Sequence, residues 1–361
     1  MIHAEQLTRD FVVKKETVHA VRGIDLHVAP GELVALLGPN GAGKSTTLRM
    51  LTTLLPPTSG SARVAGASVV SEPTEVRRRI GYVGQGNAAG HSYRVLDELV
   101  MQGRFYAMSR SAAAARAGEL LASFDLTPLQ KRGVGTLSGG QRRRLDVAMG
   151  LMHRPRLLFL DEPSTGMDPQ NRSNLWDHIL RLREEQGTTI VLTTHYLEEA
   201  DVRAERVLVI DHGRIIADDT AANLKATLAG DQVSVTVAPQ EVASAVPVLS
   251  ARGREVSVGA ESLGATVSAR FERGPQALPW VLQELAGLGV TARAAEVRRP
   301  TLDDVFLSLT GRSLRDEGAV ESASDEGAVD SAADEGAAES ARDEGAVKAT
   351  DLVHEDERAR A

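Results

Sequence analysis

Cysteine is absent from all 361 residues, so no disulfide framework holds the fold, as suits a cytosolic protein. Aromatic residues make up only 3%, and the core must therefore be built from aliphatic side chains. Long apolar runs are also missing. No stretch approaches the 18 or so uninterrupted apolar residues of a spanning helix, and Met1-Ile2-His3-Ala4-Glu5-Gln6 lacks the pattern of a signal peptide. The chain is not expected to cross a bilayer itself. An excess of charge is absent from most of its length: residues 1–311 carry 34 acidic and 35 basic side chains, whereas residues 312–361 carry 15 acidic and 6 basic. The net charge of −8 belongs to that last stretch. It is no argument about what the rest of the chain attracts or repels.

Glycine is concentrated where chemistry needs it. The apolar run Leu33-Val34-Ala35-Leu36-Leu37 leads into Gly38-Pro39-Asn40-Gly41-Ala42-Gly43-Lys44-Ser45-Thr46, and a helical pattern follows from Thr47. This is the strand–loop–helix setting of a phosphate-binding loop. The glycines let backbone N–H groups turn inward, the helix N-terminus adds positive potential, and Lys44 brings a point charge to the outer phosphates. Ser45 offers its hydroxyl to Mg²⁺. The alternative is a plain glycine-rich turn.

A second short apolar run, Arg156-Leu157-Leu158-Phe159-Leu160, reads as a buried parallel strand and ends in Asp161-Glu162-Pro163. Successive strand side chains point to opposite sides, so Asp161 can reach the Mg²⁺ while Glu162 faces an attacking water. A third run, Thr189 to Thr194, ends at His195, where open α/β sheets bind ligands and a neutral imidazole can hold the γ-phosphate. Gln85 follows the strand-like Ile80-Gly81-Tyr82-Val83-Gly84 and is a candidate bridge to the metal or water. Phe11, the one aromatic of the first 80 residues, either stacks on adenine or packs in the core. By themselves an acidic strand end and a strand-end histidine are as readily structural.

Between these elements stands Leu137-Ser138-Gly139-Gly140-Gln141, in other company an ordinary turn. With the elements around it the chain resembles the nucleotide-binding subunit of ABC transporters over residues 1–230. Gly38 to Thr46 match Walker A, Gln85 the Q-loop, Leu137 to Gln141 the signature, Leu157 to Glu162 Walker B, His195 the switch histidine, and Phe11 the aromatic loop. The segments Thr193 to Asp201 and Arg299 to Leu307 resemble the daunorubicin/doxorubicin-resistance branch of drug exporters.

The resemblance implies an α/β P-loop NTPase fold with a helical subdomain and ATP hydrolysis with Mg²⁺. Glu162, His195, Lys44 and Gln85 would be catalytic, and Ser45, Gln85 and Asp161 would face the metal. It also implies a head-to-tail dimer. Ser138, Gly139, Gly140 and Gln141, at a helix start near Gln141, then serve the γ-phosphate held by a second copy, and Asp168 lies in a loop crossing that dimer. The pathway belongs to a separate membrane-spanning permease, which would hold this subunit on the cytoplasmic face of the membrane. The competing class is a soluble ABC ATPase acting on a ribosome or nucleic acid. Against it, there is one Walker A in the chain, and 93 residues separate Lys44 from Ser138 without sustained heptads. No nucleic-acid partner is expected.

Residues 231–311 change character. Strands are expected at 232–237, 255–258, 265–271 and 290–297 and helices at 240–251 and 276–288, the β-α-β-β-α-β order of a small ferredoxin-like α+β domain. A last helix, 301–310, puts Leu302, Val305, Phe306 and Leu309 on one face with an N-terminal cap from Thr301 to Asp304, and is expected to dock on that domain. Residues 312–361 hold a nine-residue repeat, Asp316-Glu317-Gly318-Ala319 and its three successors. It has too few large apolar groups to offset ordering and is read as disordered rather than as a calcium-binding array. The segment Gly86 to Arg94 is expected to be mobile until the membrane partner docks on it.

Overall fold

The computed structural model describes residues 1–261 and 264–312, and Met1–Arg312 form one compact unit. The repeat of residues 316–346 lies outside the described residues.

The chain opens with β1 (Ile2–Val13) and β2 (Glu16–Val28), a long antiparallel hairpin, and then enters β3 (Leu33–Leu37) and α1 (Lys44–Leu51). There follow β4 (Ser59–Val64), β5 (Ala67–Ser68), α2 (Pro73–Arg79) and β6 (Ile80–Val83). Next come three helices, α3 (Val95–Phe105), α4 (Arg110–Ser123) and α5 (Gly139–Gly150). The chain then alternates through β7 (Leu157–Asp161), α6 (Pro169–Gln186), β8 (Thr189–Thr194), α7 (Leu197–Arg203), β9 (Arg206–Asp211), β10 (Arg214–Asp219) and α8 (Ala221–Leu224).

Two sheets carry this part. One is antiparallel, in the order β2-β1-β4-β5; the other runs β10-β9-β3-β8-β7-β6 and is parallel except at β10. Every residue of β3, β7 and β8 is buried, which is why these strands read as unbroken apolar runs rather than alternating ones. Aliphatic side chains of both sheets and of α1, among them Ile2, Leu26, Val34, Leu36, Leu48, Ile80 and Val191, form one core that includes the Phe159 ring.

Beyond α8 lie β11 (Asp231–Val237), α9 (Val242–Ser250), β12 (Arg254–Glu261), β13 (Gly264–Phe271), α10 (Gly274–Gly287) and β14 (Ala294–Arg298). They make an antiparallel sheet of order β12-β13-β11-β14 with its own aliphatic core, the ferredoxin-like arrangement expected.

The last helix, α11 (Leu302–Thr310), is capped by Thr301, whose hydroxyl accepts from Asp304 N while the Asp304 carboxylate accepts from Thr301 N. Its placement corrects the expectation. The helix packs on the turn Lys225–Ala229 and on α7 and α8, not on the ferredoxin-like sheet. From that sheet Arg270 and Arg298 both donate to Asp304. Leu302, Val305 and Phe306 are buried there, and Leu307 is exposed.

Candidate nucleotide-binding site

Strand register assembles the site. Leu37 pairs with Thr194 across β3 and β8, and Asp161 pairs with Thr193 across β7 and β8, so the three strands end level. The loop 38–43, the Asp161-Glu162 pair and His195 all leave from that edge, where a parallel sheet offers its crevice.

Gly43 caps α1 with φ 101°, and a Cβ there would come within 2.5 Å of the Ala20 carbonyl, so both backbone and space require glycine. The loop's seat is backbone-made: Ala42 N donates to Pro39 O, and Gly213 N to Ala42 O. Asn40 and Gly41 are exposed at its tip, while Ser45 and Thr46 are half-buried on the first turn of α1. Buried Lys44 extends its ammonium along the loop, donating to Gly38 O at 2.8 Å and Pro39 O at 2.9 Å, with Glu162 Oε1 at 3.8 Å.

Ser45, Gln85 and Asp161 converge. Ser45 Oγ donates to Asp161 Oδ1 at 2.8 Å, and Gln85 Nε2 donates to Ser45 Oγ at 3.3 Å. Thr193 Oγ1 donates to the same Asp161 oxygen at 2.7 Å. Burial and the neighbouring Asp161 push the Tyr82 phenol up, so Tyr82 stays protonated beside that carboxylate. A carboxylate, a hydroxyl and an amide gathered beside a phosphate loop form the hard oxygen donor set suited to Mg²⁺.

Glu162 turns away from Asp161 because its backbone is left-handed, with φ 48°. That conformation is uncommon for a residue with a side chain. It is held by its own N–H, which lies 3.0 Å from Thr193 Oγ1 and 3.2 Å from Thr193 O. The carboxylate has His195 Nδ1 at 3.3 Å and accepts from Thr165 Oγ1 at 3.2 Å. The His195 nitrogen is close but not aligned for a hydrogen bond. Burial works to raise the Glu162 pKa, but His195, the Lys44 charge and the Thr165 hydroxyl outweigh it, and the carboxyl sits below its ordinary value.

The backbone next to His195 is pinned from behind. Thr194 Oγ1 donates to buried Glu199 at 2.9 Å, Trp176 Nε1 donates to the same carboxylate at 3.0 Å, and Ser164 Oγ donates to it as well. The Tyr196 ring lies against the His195 ring, and the Arg172 guanidinium of α6 covers Tyr196 at 4.0 Å.

Ser138 caps α5, two residues earlier than expected, and makes a reciprocal capping box with Gln141, leaving Gly139 and Gly140 as the first residues of the helix. Asp168 caps α6, accepting from Asn171 N at 3.0 Å and from Asn171 Nδ2 at 2.6 Å. Those bonds hold the exposed Asp168 carboxyl below its ordinary value. The two caps are neighbours, since a Cβ on Gly140 would come within 2.8 Å of Asn171 Cγ. Phe11 is half-buried on β1 with the Arg9 guanidinium 4.7 Å from its ring, and is not a member of the core.

The segment after Gln85, expected to be mobile, carries hydrogen bonds to the helical region. Ala88 N and Ala89 N donate to buried Asp146 at 3.0 and 3.1 Å, Arg142 donates to Ala89 O, and Gly90 N donates to Glu98. Asp146, Thr193, Glu199 and Arg143 escaped the reading of motifs. Only Asp146 had a usable signal, as an acidic residue in an otherwise basic and apolar helix.

Similarity to known proteins agrees with this geometry. A family model described as ABC transporter matches residues 21–165. The daunorubicin/doxorubicin resistance ATP-binding protein DrrA of Streptomyces peucetius is 44% identical over 84% of this chain and 92% of that protein. The chain belongs to the ABC transporter family. The linearmycin resistance ATP-binding protein LnrL of Bacillus subtilis (strain 168) is 35% identical over 88% of this ABC ATPase and 100% of its own length. Among solved structures, the ATP-binding cassette MJ0796, dimeric and bound to ADP and Pi after hydrolysis, superposes with TM-score 0.57 at 27% identity, covering 61% of this chain and 98% of that one. The ABC ATPase described here is thus an ATP-binding, ATP-hydrolysing chain.

Proposed function

We propose that this ABC ATPase energises export of a drug or hydrophobic natural product through a separate membrane-spanning permease. The observation that carries the catalytic part is the convergence of Lys44, Ser45, Asp161, Glu162 and His195 on one edge of the parallel sheet. Ser45, Asp161 and Gln85 would hold Mg²⁺, which when bound neutralises charge on the transferring phosphoryl group. Glu162, kept ionised, accepts the proton of the attacking water, and His195 orients the γ-phosphate. Lys44, already directed along the loop, meets the outer phosphate oxygens.

Gly139 and Gly140 at the head of α5 present free N–H groups at a positive helix end. Their complement is the γ-phosphate held by a second copy, with Asp168 beside the crossing. Phe11 stacks on adenine by its open face. Residues 1–230 form the nucleotide-binding domain and residues 231–311 an accessory domain.

The permease would meet the helical region next to Gln85. Tyr93 is 52% exposed there, and Met101 and Phe105, one turn apart on α3, are 38% and 78% exposed. No helix among the described residues is long and apolar enough to cross a membrane, so attachment to the cytoplasmic face would rest on that contact. Export is the direction because relatives are named for drug resistance. Expressed in a host membrane, the chain should copurify with a permease that raises its ATPase rate; a permease-free ATPase that sediments with ribosomes would contradict this.

A further inference from the structure

Three arginines follow the signature, and each goes elsewhere. Arg142 donates to Ala89 O, and Arg144 to Phe124 O. Arg143, between them, is buried and points at the catalytic edge. Its Nε donates to Pro163 O at 2.6 Å, Nη1 to Gly84 O at 2.7 Å, and Nη2 to Glu162 O at 3.2 Å and Asp161 O at 3.3 Å. All four acceptors are main-chain carbonyls. Three belong to consecutive residues at the end of β7, and the fourth belongs to the residue before Gln85.

A buried guanidinium bonded to no carboxylate is costly to keep, and burial lowers its pKa accordingly. What it provides is geometry: a rigid planar fork that ties two backbone segments to one helix. The segment it holds most closely contains the left-handed Glu162, whose N–H is already fixed by Thr193. With its carbonyl fixed by Arg143, the residue is clamped on both sides.

We propose that Arg143 is a positioning residue for hydrolysis: it sets the backbone of Glu162 from the signature helix and links that placement to the Q-loop through Gly84. The inference rests on the reading of Glu162 as the group that activates water. It gives α5 two roles at opposite ends of its first turn. Ser138 and the glycines face the partner's ATP, while Arg143 adjusts this chain's own catalytic carboxylate, so seating of the helix bears on both sites.

The test uses the full chain and four variants: Arg143→Gln, Arg143→Lys, Glu162→Gln and the double Arg143→Gln/Glu162→Gln. Arg143→Gln should lower kcat about 100-fold, as a misplaced catalytic group does, with KM for ATP within about threefold and little change in melting temperature. Arg143→Lys should recover part of the loss, because one cation can reach one or two of the carbonyls. In the Glu162→Gln background the Arg143 change should add almost nothing, since both act through one group.

A wild-type kcat in Arg143→Gln overturns the inference. So does an equal loss of ATP affinity and thermal stability in both Arg143 variants, or a full multiplication of effects in the double variant; either would make the residue general fold cement. Failure of the underlying reading looks different: Glu162→Gln alone would then hydrolyse ATP at the wild-type rate.

Discussion

Oε2 of Glu162 lies 3.3 Å from Nδ1 of His195, while Oε1 of the same carboxylate lies 3.8 Å from the Lys44 ammonium. A single carboxylate thus spans the distance between the phosphate loop and the strand-end histidine. His195→Ala should keep ATP binding within a fewfold and lower kcat by about 10²-fold or more, measured by steady-state phosphate release. Equal loss of binding and turnover would mean that the ring merely packs the site.

The same pair sets a pH dependence. The Glu162 carboxyl is held below its ordinary value in the folded protein, so it is ionised from the ordinary carboxylate range upward and its contribution is lost only as pH falls through the depressed value. Rate profiles should show no Glu162 limb near neutrality. Replacing Lys44 is unsuitable as a test because it removes phosphate binding too, but Thr165→Val removes one donor at 3.2 Å and should shift the acid limb upward. An unmoved limb would assign it to another group.

Thr193 supports both acidic residues, donating to the Asp161 carboxylate and accepting from the Glu162 backbone N–H. Thr193→Val keeps the volume and removes the hydroxyl. The Mg²⁺ concentration for half-maximal rate should rise about tenfold, as when outer partners of a metal ligand are removed. A Mg²⁺ requirement identical to the wild type would detach Thr193 from the metal site.

Asp304, with 9% of its side chain exposed, accepts from Arg270, Arg298 and Thr301. Although burial opposes ionisation, the Thr301 and arginine partners lower its pKa to about 2. A depressed carboxyl contributes stability above its unfolded pKa and loses it as pH falls toward the folded one. Asp304→Asn should therefore destabilise the chain at pH 7 by about 1–2 kcal/mol, after allowance for solvent screening, and the difference should vanish near pH 2. Denaturant titration of both proteins across that range measures it. An undiminished gap at low pH would implicate packing of α11 instead.

The motifs were legible because each imposes a backbone requirement: left-handed Gly43 at the head of α1, unbroken apolar strands ending level, and a capping serine ahead of two glycines. The ferredoxin-like order was legible for the same reason, its strands and helices being separate runs of different period. Arg142, Arg143 and Arg144 were not. Consecutive helical residues are about 100° apart around the axis, and three identical side chains carry no mark of which one faces inward. The docking of α11 was misread because an amphipathic face says that something covers it without naming the cover. The hydrogen bonds after Gln85 were not legible because its glycines and alanines conceal backbone donors that Asp146 and Glu98 collect.

The most direct test is the oligomeric state of Glu162→Gln with and without Mg-ATP, followed by light scattering on the full chain. The expected result is a mass that doubles only when ATP and Mg²⁺ are both present, with turnover at least about 10²-fold below wild type and with the dimer lost when Ser138→Arg blocks the signature. A Glu162→Gln chain that binds ATP yet stays monomeric, or one that hydrolyses it at the wild-type rate, would contradict a site shared between two copies.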